Sequence, residues 1–221
     1  GGLTYWNNNV WQEQVVIPYY LNLSNVSNDQ LKIPQSEKSY NVPATGDYEF
    51  GIRIRVPLVA ENRFVGLIGY NNIDPDKRWG LIFRGNGTGD LSFVYANGGG
   101  SVVTLDYDLV SNFAGQIVDI RAGWYGTNET RIYVNDVIVV SGTYASRPVD
   151  NTTDFSISRV DGRPNSSFNG EVYSWFIDDD IFTVNEGAGF PTVSESGTTA
   201  QGQTSNTGGL TYWNNNVWQP E

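Results

Sequence analysis

Residues 48–56 alternate between apolar and polar positions. Phe50, Ile52, Ile54 and Val56 fall on one side, and Glu49, Gly51, Arg53 and Arg55 on the other. Period-two alternation belongs to a strand with one face buried and one in water. Similar β-prone runs follow at 63–70, 79–84, 91–95, 101–105, 116–125, 130–134, 137–141, 154–160 and 171–177, with clusters of Gly, Asn and Asp between them. Asn135-Asp136 separates two apolar runs, which signals a tight hairpin. No stretch carries convincing helical periodicity. Many short strands at this spacing predict an all-β chain built as a two-sheet antiparallel β-sandwich.

A second pattern is a repeat. Residues 1–12 read GGLTYWNNNVWQ, and residues 208–219 read the same twelve letters. Self-similarity of this kind points to tandem units in a longer parent protein, and the Gly-Gly start and the absence of methionine fit such a piece; the competing account is that both ends were engineered. Within the motif, Leu3-Thr4-Tyr5-Trp6 and Val10-Trp11-Gln12 are β-prone and flank Asn7-Asn8-Asn9. Asn tolerates left-handed backbone angles, so the triplet is a turn and the motif a small β-hairpin. It resembles the short Gly-Leu-x-Tyr-Trp-Asn-x-x-x-Trp hairpins of phage tail fibres and bacterial surface proteins. The expected organisation is a hairpin motif at 1–12, a sandwich at 13–191, a linker at 192–207 and the start of a next unit at 208–221. The linker segment, TVSESGTTAQGQTSNT, has almost no apolar content. Trp6, Trp11, Trp213 and Trp218 are candidate interface residues, since exposed Trp on a short hairpin favours docking. Docking on a neighbouring unit and packing on the hairpin's own sandwich both remain open.

Composition narrows the function classes. A chain of 221 residues suits one large all-β domain. The net charge of -11 leaves no basic footprint for nucleic acid and disfavours an anionic membrane surface. No apolar run approaches the ~20 residues needed for membrane insertion as a helix. The chain has no Cys and no His, which removes disulfides, thiolate metal sites and the commonest general base. Charged residues make up only 17% while aromatics reach 14%, in a chain rich in Gly, Asn, Ser and Thr. That composition is typical of bacterial surface proteins and phage appendages, and so of an extracellular, cell-surface or virion location.

The order of strands carries a resemblance. GQIVDIRAGWYGTNETRIYVNDVIVV is followed by DFSISRVDGRPNSSFNGEVYSWFIDD. The first holds a hairpin, Tyr133-Val134-Asn135-Asp136, and the second a strand marked by Phe168, Gly170, Val172 and Ile177. Together with an entry strand beginning at Tyr48, these residues resemble concanavalin A-like and laminin-G-like jelly rolls. Asp136 stands where that family has Gly. The resemblance covers most of residues 13–190 and implies a jelly-roll sandwich. It does not fix function, because such folds host lectins, glycosidases and plain spacers.

Such a fold can carry three chemistries. A retaining glycosidase needs two carboxylates about 5–5.5 Å apart. Laminarinase-type relatives supply them as Glu-x-Asp-x-Glu along one strand, and no Glu here has Asp two residues later. Asp47 and Glu49 share a face but lack the rest of the motif. Calcium takes six to eight oxygens. The acidic run Asp178, Asp179 and Asp180 is the first candidate for it, with a solvated loop as the other reading; Asp74 with Asp76, Asp150-Asn151-Asp154 and Asn185-Glu186 are further clusters. A saccharide takes aromatic faces and polar edges. Tyr70, Asn71, Asn72, Trp79, Trp124 and Tyr125 are its candidates, with core packing as the alternative for the aromatics. The sequence thus reads as a non-catalytic binding or adhesion module, not an enzyme. Its expected partners are a glycan or cell-surface ligand and neighbouring repeats. The alternatives are a structural repeat that builds a fibre through its terminal hairpin and, third, a glycosidase.

Overall fold

In the computed structural model of the chain, residues 4–7, 10–13, 20–23, 30–33, 35, 39–70, 77–85, 87–97, 100–148, 153–158, 166–186, 191–195, 210–214 and 217–220 are described. The strands up to the one helix are β1 (Thr4–Asn7), β2 (Val10–Glu13), β3 (Leu21–Leu23), β4 (Gln30–Ile33), β5 (Tyr48–Arg55), β6 (Val65–Tyr70), β7 (Trp79–Phe83), β8 (Asp90–Ala96) and β9 (Val102–Asp108). A single turn, α1 (Leu109–Phe113), follows, capped by the Asp108 side chain, which accepts from the Ser111 N–H at 3.1 Å. Then come β10 (Ile117–Tyr125), β11 (Glu129–Val134), β12 (Val137–Thr143), β13 (Phe155–Ile157), β14 (Gly170–Ile177), β15 (Asp180–Glu186), β16 (Pro191–Glu195), β17 (Leu210–Asn214) and β18 (Val217–Pro220).

Two antiparallel sheets form a β-sandwich, as the alternation predicts. The first runs β12-β11-β10-β5-β14-β15-β16, with β3 also on β14; the second runs β18-β17-β4-β13-β6-β7-β8-β9. β17 is the exception in direction, lying parallel to β4. The inward side chains of β5 and β10 are in register, with Phe50 opposite Ala122 and Ile52 opposite Ile120. They meet the second sheet through aromatics. Phe50 sits 4.7 Å from Trp79, and Trp79 crosses Trp124 at 5.9 Å and 88°. Edge-to-face geometry of this kind suits ring quadrupoles and adds about 0.5–1.5 kcal/mol per pair to area burial. Tyr95 reaches the same layer and bonds Thr130 Oγ1 at 3.1 Å, satisfying two polar groups in the core.

Several expectations change. The helical turn α1 is too short to show periodicity. β3, β4, β15 and β16 lack a long apolar run, since they are short or carry polar residues at alternate positions. Residues 192–195 are strand, not linker: β16 pairs with β15 from Glu186 opposite Pro191 to Phe182 opposite Glu195. An edge strand needs no apolar run, so its polar letters hid it. Both hairpins form, with Asn7 opposite Val10 and Asn214 opposite Val217, so the first Asn of each triplet belongs to a strand. The Asn135-Asp136 turn has φ of 50° and 64°, the left-handed pair of a type I′ hairpin.

Candidate functional site

The first sheet turns its other face to water. Across that face the register sets side chains in rows. In one row Phe176, Gly51, Arg121 and Tyr133 are neighbours on β14, β5, β10 and β11; in the next are Ser174, Arg53 and Asp119. Gly51 contributes no side chain to the row. The Phe176 ring leans over Gly51 from one side. From the other side rise Tyr133 and Arg121, whose guanidinium stacks 4.2 Å above the tyrosine ring. The result is a groove of about 320 Å³ lined by Phe176, Tyr133, Arg121, Arg53, Glu49, Asp119, Ser174 and Asp136. It has aromatic walls and polar ends.

Each carboxylate in the groove lies near a guanidinium, three carboxylates sharing two arginines. Arg121 Nη1 donates to Glu49 Oε2 at 3.3 Å and its Nη2 lies 3.6 Å from Asp136. Arg53 lies 3.7 Å from Asp119. One row further out, Arg131 holds Glu129 by two bonds of 2.8 and 2.6 Å, donates to the Tyr133 hydroxyl at 3.0 Å and covers the Tyr125 ring. The Arg131 hydrogen bonds hold the Glu129 carboxyl below its ordinary range. Tyr133 is thereby clamped between two guanidinium groups, one on its ring and one on its hydroxyl. Burial, and then the Glu49 carboxylate, push the Tyr125 hydroxyl up, so it stays protonated. At the far end of β5, Arg55 donates to Glu171 at 2.6 Å and to the Tyr173 hydroxyl at 3.1 Å. Burial pushes Tyr173 up to about 12.

The candidate residues from the sequence are only partly here. Tyr70, Trp79 and Trp124 are 0%, 1% and 0% exposed, so they are core residues and offer no ring face to a ligand. Their neighbours in the chain alternate in and out, and these three fell on the inward parity. Tyr125 is 7% exposed and reaches the outer face only beneath Arg131. Asn71 and Asn72 lie outside the described residues, as do Asp74, Asp76, Asp150 and Asn151. Asp178 and Asp179 form the two-residue turn between β14 and β15, with Ile177 opposite Asp180. Asp178 takes φ of 54°, which Asp tolerates better than most residues. Burial and the charges of Asp179 and Asp180 raise the Asp178 carboxyl above its usual range. The turn borders a smaller recess of about 230 Å³ with Ser39, Tyr40, Asn41 and Tyr48. No group of three or more acidic, Cys or His side chains able to hold a metal ion occurs among the described residues. Among the described residues the acidic run thus forms a turn at the end of the first sheet. Asp47, the one acidic partner of Glu49 along β5, accepts from the Gly126 N–H at 2.9 Å and ties down that loop. Trp6 and Trp11 are opposite each other in the first hairpin, and Trp213 and Trp218 in the second.

No protein-family model matches the chain, and no curated protein matches it in sequence. Among solved structures it is similar to the Ruminococcus gnavus IT-sialidase CBM40 bound to alpha2,3 sialyllactose, at 13% identity and a TM-score of 0.52, covering 73% of this chain and 90% of that one. Domains LG4-5 of the mouse laminin alpha1 chain give 11% identity and a TM-score of 0.49, over 73% of this chain and 43% of that one. The receptor binding domain of botulinum neurotoxin C/D mosaic serotype gives 12%, a TM-score of 0.48, and 78% and 45%. The chain thus spans under half the length of the laminin and neurotoxin chains. At these identities the likeness is one of fold.

Proposed function

We propose that this chain is a non-catalytic binding module of the concanavalin A/laminin-G-like class, and that it takes a neutral saccharide in the groove between Phe176 and Tyr133. The observation that carries this reading is the groove's make-up. Phe176 and Tyr133 wall it with ring surface, while Ser174, Arg53, Asp119, Arg121 and Glu49 place donors and acceptors around it. A sugar ring has an apolar face and hydroxyl edges, and it fits such a lining without adding charge. Arg53 and Arg121 already face carboxylates, so an acidic sugar would have to displace Asp119 or Glu49. The CBM40 domain of similar fold, bound to alpha2,3 sialyllactose, supports a saccharide as the ligand class. The same reading places the protein outside the cell, on a cell surface or a virion appendage.

The test is a glycan array carrying neutral, sialylated and sulfated oligosaccharides, followed by calorimetry on the best ligand. Saturable binding to a neutral glycan is expected, weakened about tenfold or more by Tyr133→Ala, a loss of about 1.4 kcal/mol. Tyr133 is half-buried on the outer face, so its truncation leaves the core aromatics in place. No glycan binding, or binding indifferent to Tyr133→Ala, overturns the proposal.

A further inference from the structure

The two copies of the twelve-residue motif fold alike but are placed differently. Both make the same hairpin in the same register, Tyr5 opposite Gln12 in the first and Tyr212 opposite Gln219 in the second. The second copy is seated. β17 extends the second sheet, parallel to β4, with Leu210 opposite Gln30, Thr211 opposite Leu31 and Tyr212 opposite Lys32. The first copy is a two-stranded sheet that pairs with no other strand among the described residues. A lone two-stranded hairpin is marginal in water and gains from a third strand. β4 is held by β13 on its other side, so the edge filled by β17 is the one place it can accept a strand.

We infer that the β4 edge is a receptor for this hairpin sequence, and that the first hairpin of one copy of the chain docks on β4 of a second copy. The identical letters predict an identical register: Leu3 opposite Gln30, Thr4 opposite Leu31 and Tyr5 opposite Lys32 of the second copy. The donor and acceptor surfaces are different, so the contact is head-to-tail and propagates into open chains or rings. The resident hairpin competes with it. It is tethered by the short segment 196–209, which gives an effective concentration on the order of millimolar. Below that, each chain fills its own β4 edge; where units follow one another, one hairpin serves as the closing strand of one unit and the opening segment of the next. The hairpin lies on the second sheet and the groove on the first, so the two sites operate independently.

The test uses the full chain. Thr211→Pro with Tyr212→Pro removes the β17 donors and frees the β4 edge. Sedimentation from about 10 µM to about 1 mM, a range set by the tether's effective concentration, should show the parent chain monomeric and this variant associating progressively. Adding Thr4→Pro and Tyr5→Pro should return it to monomer. Hydrogen exchange gives a second reading that does not depend on the size of the assembly. The β4 amides that face β17 should be protected in the parent, unprotected in the double variant when dilute, and protected again when it is concentrated, while those that face β13 stay protected throughout. A double variant that stays monomeric with β4 amides open at the highest concentration overturns the inference. So does a fourfold variant that associates as strongly as the double one.

Discussion

Gly51 is the position where the groove and the fold make opposite demands, so its substitution is the sharpest test of the geometry. A Cβ placed there would run into the Phe176 ring and come within 2.5 Å of the Ile120 carbonyl oxygen. The ring can swing away, but the carbonyl belongs to the neighbouring strand and cannot. Overpacking of this kind costs about 1–3 kcal/mol. Gly→Ala also removes backbone freedom from the unfolded chain, a gain of about 0.4–1 kcal/mol. The net expectation for Gly51→Ala is a loss of about 1–2 kcal/mol, the clash outweighing the entropy. For a chain of this size each kcal/mol lowers Tm by about 2–4 °C. Calorimetry on Gly51→Ala, Phe176→Ala and the double variant would separate the two contacts. Removing the Phe176 ring should relieve part of the Gly51→Ala penalty, with a coupling of about 0.5 kcal/mol or more between the sites. A Gly51→Ala protein as stable as the parent, or strictly additive losses, would mean that Phe176 does not lie over Gly51.

Two further outcomes follow from the turns. The folded Asp178 carboxyl is raised above its unfolded value, so its charge opposes folding above the ordinary Asp range and ceases to do so as pH falls through that window. Asp178→Asn should therefore raise stability at pH 7, by about 0.5 kcal/mol or less for so exposed a turn, and the advantage should fade toward pH 4; an advantage that grows on acidification refutes it. Asp136 holds φ of 64° in a type I′ turn, a position that favours Gly, and its carboxylate is nearly fully exposed. Asp136→Gly should hold or raise stability by up to about 1 kcal/mol in urea unfolding, and a clear loss would show that its contact with Arg121 matters.

The sandwich was legible because alternation is a local property. Phe50, Ile52 and Ile54 had to share a face, and β5 became the centre of the first sheet. The hairpin at Asn135-Asp136 was legible for the same reason, since a two-residue turn needs left-handed angles that Asn and Asp supply. The groove residues were not, because a groove depends on which strands lie side by side. Nothing in the letters around Phe176 says that β14 pairs with β5, so its place beside Gly51 was hidden. One signal was available: Gly51 interrupts a run of charged outward positions, and glycine inside a strand often marks a close approach by another group. Trp79 and Trp124 misled as ligand candidates because an aromatic near a strand end reads alike whether it points inward or outward. Only the register, Trp124 opposite Tyr48, shows its direction.

The ladder of Arg–carboxylate pairs on the first sheet has a long-range consequence. Arg53, Arg55, Arg121 and Arg131 each face Asp119, Glu171, Glu49 or Glu129, so this face is close to electrically silent. The chain as a whole carries a net charge of -11. Within the ~8 Å screening distance at physiological salt, approaching polyanions meet a repulsive field, while uncharged molecules meet none. Capture by the quiet face should then run at a rate nearly independent of ionic strength, and fouling by acidic polymers should be suppressed without any contact that selects against them.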